Sequence, residues 1–391
     1  MNSQELLAKL VSFDTTSHLT NLPLIDFVAR YLAQYGIESI LLPDATGKKA
    51  NLWASLGPKQ GGGLLLSGHT DVVPVDGQPW QTPPFEMQQR GGQLIGRGTT
   101  DMKGFLACVL AAVPQFLSMP LRRPIHFAFT FDEEIGCFGA DELVAQLGVS
   151  LPLPEMVIVG EPSNMQAIIA HKGLAGYNTT ITGKDVHSSL VHLGASSIRA
   201  AAEITQFLYA KADELARGEQ YDGMQLPPYS TINVGRIQGG QARNIVARET
   251  CLFWEYRYIP GADAHWAAHC LQEFTQAHVL PRLKNQSPQA DVVTERVSHI
   301  PAFSVAADTD VVKLVSQLTG LAGTSKVPYG AEAGQYAQRG ISTVICGPGS
   351  IEQAHQPNEF LELSQLHACD AFMRQLAVWA QTMSMPAPAR V

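Results

Sequence analysis

The sequence predicts an α/β protein in which a large domain, built on a mostly parallel sheet with flanking helices, is interrupted by an inserted ferredoxin-like α+β domain. Three observations carry this expectation. Four short apolar runs, residues 64–66, 125–131, 156–159 and 343–346, each pass straight into polar residues, as strands buried on both faces do. Helical patterns lie between them, at 102–117 (MKGFLACVLAAVPQFL) and 308–318 (DTDVVKLVSQL), and supply the crossovers that parallel strands need. From about Gly176 the order changes to strand (177–183), helix (197–216), strand (231–237), strand (250–259), helix (262–278), strand (290–299), the split order of a ferredoxin-like unit.

Length supports the division. A chain of 391 residues exceeds what one hydrophobic core usually covers, so residues 1–175 and 301–391 are assigned to the larger domain and 176–300 to the insert. The Pro- and Gly-containing stretch 221–229 reads as a loop within it, and 383–391 (MSMPAPARV) as a tail that frays. Apolar content of 45% and charged content of 16% describe a globular protein, and no run approaches the ~18 apolar residues of a membrane span. The first residues read as an amphipathic helix without the basic start and cleavage site of a signal peptide, so the expected location is the cytoplasm. Six cysteines without a CxxC pair argue against a disulfide framework or a thiolate metal site. A net charge of −8 without a Lys/Arg-rich run gives no footprint for nucleic acid or an anionic membrane. The expected partner is a small molecule.

In open α/β sheets ligands bind at the carboxyl ends of the strands, and the four runs deliver SGHTD, DEEIG, GEPS and GPGSIEQAH there. His69 and Asp71 in SGHTD suit a metal-binding imidazole whose second nitrogen is held by a carboxylate. Asp101, in the turn GRGTTDMKG, has two oxygens that can bridge two ions, or a simpler role as a helix N-cap. Glu133 and Glu134 follow Asp132, and three adjacent carboxylates at a strand end form either a solvated turn or a site that cations compensate. Neighbours on an extended chain point oppositely, so one can ligate while the other acts as general base. Glu161 and His355 repeat the pattern after the other two strands. Each residue alone has an ordinary structural explanation; together, two histidines and several carboxylates on one sheet edge make an N/O site suited to zinc, cobalt or manganese. A pair of such ions would activate a water against a carbonyl, with Glu133 taking its proton and passing it to the leaving amine.

With these residues in view, the chain resembles the M20 family of metallopeptidases, through SGHTDVVPV, GRGTTDMKG, DEEIG, GEPS and the late histidine loop, in order and over nearly the whole length. The resemblance implies two divalent metal ions, one held by His69, Asp101 and Glu161 and the other by Asp101, Glu134 and His355, with Asp71 supporting His69 and Glu133 as base. It makes the insert a lid that forms a homodimer and gives His187 in GKDVHSSL the task of polarising the substrate carbonyl. It also directs Asn244 and Arg257 to a substrate carboxylate, a task that suits the bidentate guanidinium. The segments GQPWQTPPFEM, PYGAEAGQY and GPGSIEQAHQPNEF are most similar to the acetylornithine-deacetylating members, with Glu332 meeting a second, cationic amine. Ala331 departs from the Thr of many such members. Rival expectations are another member activity (aminoacylase, acetylcitrulline deacetylase, desuccinylase or dipeptidase) and a silent binding protein on the same fold, which would lack ligands or base. A serine hydrolase would need an elbow such as G-x-S-x-G, and none is present.

Overall fold

The computed structural model describes residues 1–59, 61–218 and 220–382; the tail expected at 383–391 lies outside them. The strands are β1 Ser39–Pro43, β2 Ala50–Leu56, β3 Leu64–His69, β4 Gln88–Arg90, β5 Gln93–Ile95, β6 Ile125–Thr130, β7 Met156–Pro162, β8 Ala167–His171, β9 Gly173–Thr182, β10 Thr231–Gly239, β11 Glu249–Tyr258, β12 Asp291–Ile300, β13 Phe303–Ser304, β14 Thr324–Val327, β15 Ser342–Gly347 and β16 Phe360–Glu362. The helices are α1 Ser3–Val11, α2 Leu22–Ala33, α3 Lys103–Ser118, α4 Phe138–Gln146, α5 Ser197–Arg217, α6 Trp266–Phe274, α7 Leu280–Gln286, α8 Asp310–Thr319, α9 Ala333–Gln338 and α10 Leu363–Trp379.

The chain forms two compact units, Met1–Ile169 with Ser304–Ser325 and Ala331–Val391, and Ala170–Phe303 with Lys326–Gly330. In the first, the large sheet runs β1-β2-β6-β3-β7-β15-β8-β13, with β14 on β8. The four apolar runs are its adjacent central strands, and β6-β3, β3-β7 and β7-β15 all pair in parallel. Leu64 is level with Ile125 and Met156, and Ser342 with Met156, so the strands start in step and end along one edge. Helix α3 explains how tightly that edge is built. It is buried on nearly all sides, as expected of a helix apolar all round, and it sits so close to β7 and β3 that a Cβ on Gly160 would meet the Phe105 ring at 2.1 Å and one on Gly68 the Met102 methyl at 2.3 Å.

The second unit has its own core, including Ile204, Leu208, Leu252, Trp254, Tyr256, Leu271 and Leu283. Its sheet is antiparallel in the order β10-β11-β9-β12. Along β11 burial alternates with the period of two that a half-covered strand shows, so Leu252, Trp254 and Tyr256 are buried while Glu255 and Arg257 lie on the opposite face. The helix expected over 262–278 instead continues through one π turn, Thr275–Val279, into α7. Pro281 has no N–H to offer the carbonyl four residues back, and a local π bond, Leu280 N–H to Thr275 O, carries the helix across the gap.

Candidate metal centre

His69 is the last residue of β3 and is fully buried. Its Nδ1 lies 2.9 Å from the backbone carbonyl of Asp71; a carbonyl only accepts, so Nδ1 carries a proton. Its Nε2 faces Asp101 Oδ1, 2.9 Å away, and Glu161 Oε1, 3.6 Å away. The expected Nδ1 bond to the Asp71 carboxylate is displaced: the nearer carboxylate oxygen is at 3.6 Å, because that group is occupied by the backbone N–H of Glu133 (3.1 Å), the N–H of Glu134 (3.3 Å) and the Ser17 hydroxyl (2.8 Å). Asp71 therefore anchors the two-glutamate turn as well as flanking His69.

Asp101 precedes α3, and its two oxygens face different histidines: Oδ1 meets His69, and Oδ2 lies 3.3 Å from His355 Nε2. His355 Nε2 is also 2.9 Å from Glu134 Oε2. His355 has a left-handed backbone (φ 63°) and, unlike its partners, a half-exposed side chain. Glu133 is buried beside Glu161 and His69, and these three can offer donor atoms to one centre, as can His69, Asp101 and Glu134. The structure thus brings His69, Asp101, Glu133, Glu134, Glu161 and His355 together.

Electrostatics show what this cluster lacks. Burial, reinforced by Asp101, pushes Glu161 well up; burial, and then Glu134 and Asp101 against the relief from His69, does the same to Glu133. Glu134 is pushed up to about 7 by burial and by Asp101. His355 rises to about 10 through its bonds to Asp101 and Glu134, and His69 is raised although burial opposes it, because Asp101 and Asp71 favour its charged form. Such a cluster calls for additional positive charge. Glu161 Oε1 is buried without a hydrogen-bond partner, and the set is all imidazole nitrogen and carboxylate oxygen. Both features fit divalent ions of the zinc class.

Four other expected site residues are described by their own surroundings. Glu332, expected to meet a substrate amine, is fully enclosed: its oxygens accept from Ser67 Oγ at 2.6 Å and Thr130 Oγ1 at 2.8 Å, under the strand ends. No face of it is open to a ligand. In the second unit, His187 and Asn244 are brought together, since Ser188 N–H donates to the Asn244 carbonyl at 2.9 Å and His187 bridges Ile245. His187 Nδ1 accepts from Ser189 N–H at 3.2 Å, which leaves Nε2 as the donor of an exposed ring. Arg257 is paired with Glu255 at 2.9 Å.

One buried residue escaped the sequence reading. Glu359 Oε1 accepts from the N–H groups of Thr100 (2.9 Å) and Asp101 (3.0 Å), and Oε2 from Gly98 N–H (3.0 Å) and Arg97 Nη1 (2.8 Å). The only cue for it was the row of backbone amides in GRGTTD, which needs an acceptor.

The comparisons agree with this geometry. The model of Peptidase family M20/M25/M40 matches residues 65–378. An acetylornithine deacetylase from Pasteurella multocida (strain Pm70) is 35% identical over 353 residues, 90% of this chain and 89% of that protein. One from Myxococcus xanthus is 34% identical, covering 94% of each. In fold, an M20 family metallo-carboxypeptidase from Sulfolobus solfataricus superposes with a TM-score of 0.74 at 19% identity, over 97% of this chain and 99% of that one. A strand-edge cluster of histidines and carboxylates, matched in sequence across four fifths of the chain, places this protein in peptidase family M20/M25/M40 as a metal-dependent amidohydrolase.

Proposed function

We propose that the chain removes the acyl group from an N-acyl amino acid, N-acetylornithine foremost, yielding ornithine and acetate for arginine biosynthesis. The observation that carries the chemistry is Asp101 spanning His69 and His355, with Glu133 in the same buried cluster. In this reading His69, Asp101 and Glu161 hold one divalent ion and Asp101, Glu134 and His355 the other. Zinc suits the donors best, with cobalt or manganese as substitutes. Two such ions, when bound, polarise a carbonyl and acidify a water.

The residues of the chain do the rest. Glu133 takes a proton from the attacking water as its oxygen adds to the carbonyl carbon, then delivers that proton to the nitrogen as the C–N bond breaks. Asp71 fixes the backbone of the Glu133–Glu134 turn. His187, through its free Nε2–H, is assigned to the carbonyl oxygen, and Asn244 and Arg257 to the substrate carboxylate, for which Arg257 exchanges its contact with Glu255. Acetylornithine is chosen on the two deacetylases that share about a third of the sequence. Homodimerisation through the second unit is part of this reading, supported by its exposed Leu190, Val191, Leu193 and Ile198. A cytoplasmic location is supported by six cysteines that are all free.

The test is amine release by zinc- or cobalt-loaded protein from acetylornithine, acetylmethionine, acetylcitrulline, succinyl-diaminopimelate and a dipeptide. Preference for acetylornithine is the expected outcome. Preference for another member of the panel would replace the substrate, and a loaded, folded protein inert on all five would overturn the deacylase reading.

A further inference from the structure

The two ligand loops that face each other across the cluster are tied by a closed ring of hydrogen bonds. Asp101 N–H donates to Glu359 Oε1 (3.0 Å), Arg97 Nη1 to Glu359 Oε2 (2.8 Å), Arg97 Nη2 to Gln78 Oε1 (2.5 Å), and Gln78 Nε2 to the carbonyl of His355 (3.0 Å). His355 Nε2, 3.3 Å from Asp101 Oδ2, closes it. Arg97 and Glu359 are almost completely buried, and the Trp80 ring covers the guanidinium at 5.1 Å while its Nε1 donates to Gln78 Oε1 at 3.0 Å. The pairing of β16 with β5, Phe360 against Ile95, delivers Glu359 to this place.

We infer that Glu359, Arg97 and Gln78 are positioning residues that set the affinity of the His355 side of the centre more strongly than that of the His69 side. This rests on the two-ion reading above. The physical reason is an asymmetry of support. His69 and Glu161 belong to central strands of a nine-stranded sheet, whereas His355 stands on an irregular loop with a left-handed backbone and a carbonyl held by Gln78. A carboxylate at 359 satisfies four donors at once; an amide there would turn its N–H pair toward two of them, of which only Arg97 Nη1 has a second acceptor, the Gln356 carbonyl at 3.3 Å. Outer-shell groups of this kind orient ligands, and their loss typically lowers metal affinity roughly 10- to 100-fold.

The experiment is zinc titration of the metal-stripped, full-length chain against a competing chelator, resolving two dissociation constants. Thermal melting is followed in parallel. Gln78→Met, which loses its bond to the His355 carbonyl and does not touch Asp101, should weaken one constant by roughly 10- to 100-fold and leave the other unchanged, whereas Glu359→Gln, whose partner Asp101 serves both ions, should weaken that same constant more than the other. His355→Ala should abolish that same weaker site. Folded variants that bind both ions as wild type does, while His355→Ala loses one, overturn the ring's role alone. Equal weakening of both constants overturns it as well, since a general loss of packing has no side. A His355→Ala protein that keeps both constants overturns the two-ion reading and the inference with it.

Discussion

Glu133 shows how one residue is held by several others for the task proposed for it. Its backbone is held by Asp71 (3.1 Å) and one carboxylate oxygen accepts from the Cys137 thiol at 3.4 Å, so the side chain is oriented without a cation bound to it. Burial and the neighbouring carboxylates push its proton affinity up, against the relief from His69. Glu133→Gln should retain the wild-type ion content, measured by elemental analysis, while turnover drops roughly 10²- to 10⁴-fold. Near-normal turnover in that variant would remove Glu133 from the mechanism. Glu332 teaches the opposite lesson: a carboxylate beside a chemistry-bearing cluster need not face the ligand, and here two hydroxyls and complete burial assign it to the floor.

At the scale of elements, strand β6 links two environments. Its far end leads to the glutamates; its second residue, His126, is 1% exposed at the opposite edge of the sheet. There it stacks on Trp53, with ring centroids 5.0 Å apart, and meets the Ser55 hydroxyl at 2.8 Å and the Gly62 carbonyl at 3.0 Å. Burial, only partly offset by Gly62, lowers its pKa from 6.5 to about 4. The unfolded chain therefore binds a proton between those values that the folded chain refuses. Stability is complete above pH 6.5 and is lost as pH falls toward 4, by about 3 kcal/mol from this residue. Denaturant unfolding at several pH values should show that loss, and His126→Gln should flatten the curve across the window. An unchanged slope in the variant would mean that other groups account for the acid sensitivity.

For the whole molecule, the two units each bury a core of their own, and among the described residues no helix is long and apolar enough to cross a membrane. The proposed homodimer makes a stoichiometric prediction. If His187 serves the active site of a partner copy, His187→Ala and Glu133→Gln chains, each nearly inactive, should regain about a quarter of wild-type activity when mixed and allowed to exchange, because half of the dimers then contain one competent site. A mixture no more active than its parents would exclude supply by the partner, and a fully active His187→Ala protein would exclude any catalytic role for that histidine.

The residues of the buried histidine–carboxylate cluster could be read in advance because the physics that reveals them is local. Buried parallel strands are continuous apolar runs, their carboxyl ends form one edge, and His69, Glu134 and Glu161 come within three residues of such runs, with His355 nine residues past the last one. The ferredoxin-like order was legible for the same reason, since periods of two and 3.6 are written within each segment. What only the tertiary structure decided depends on partners distant in sequence. The burial of Glu332 comes from hydroxyls more than 200 residues away, the role of Asp71 from amides 62 and 63 residues away, and the Glu359 ring from a strand pair separated by some 265 positions. Local periodicity records which face of an element is buried, but which polar group will meet which across the fold is settled only when the backbone closes on itself and every buried donor must find an acceptor.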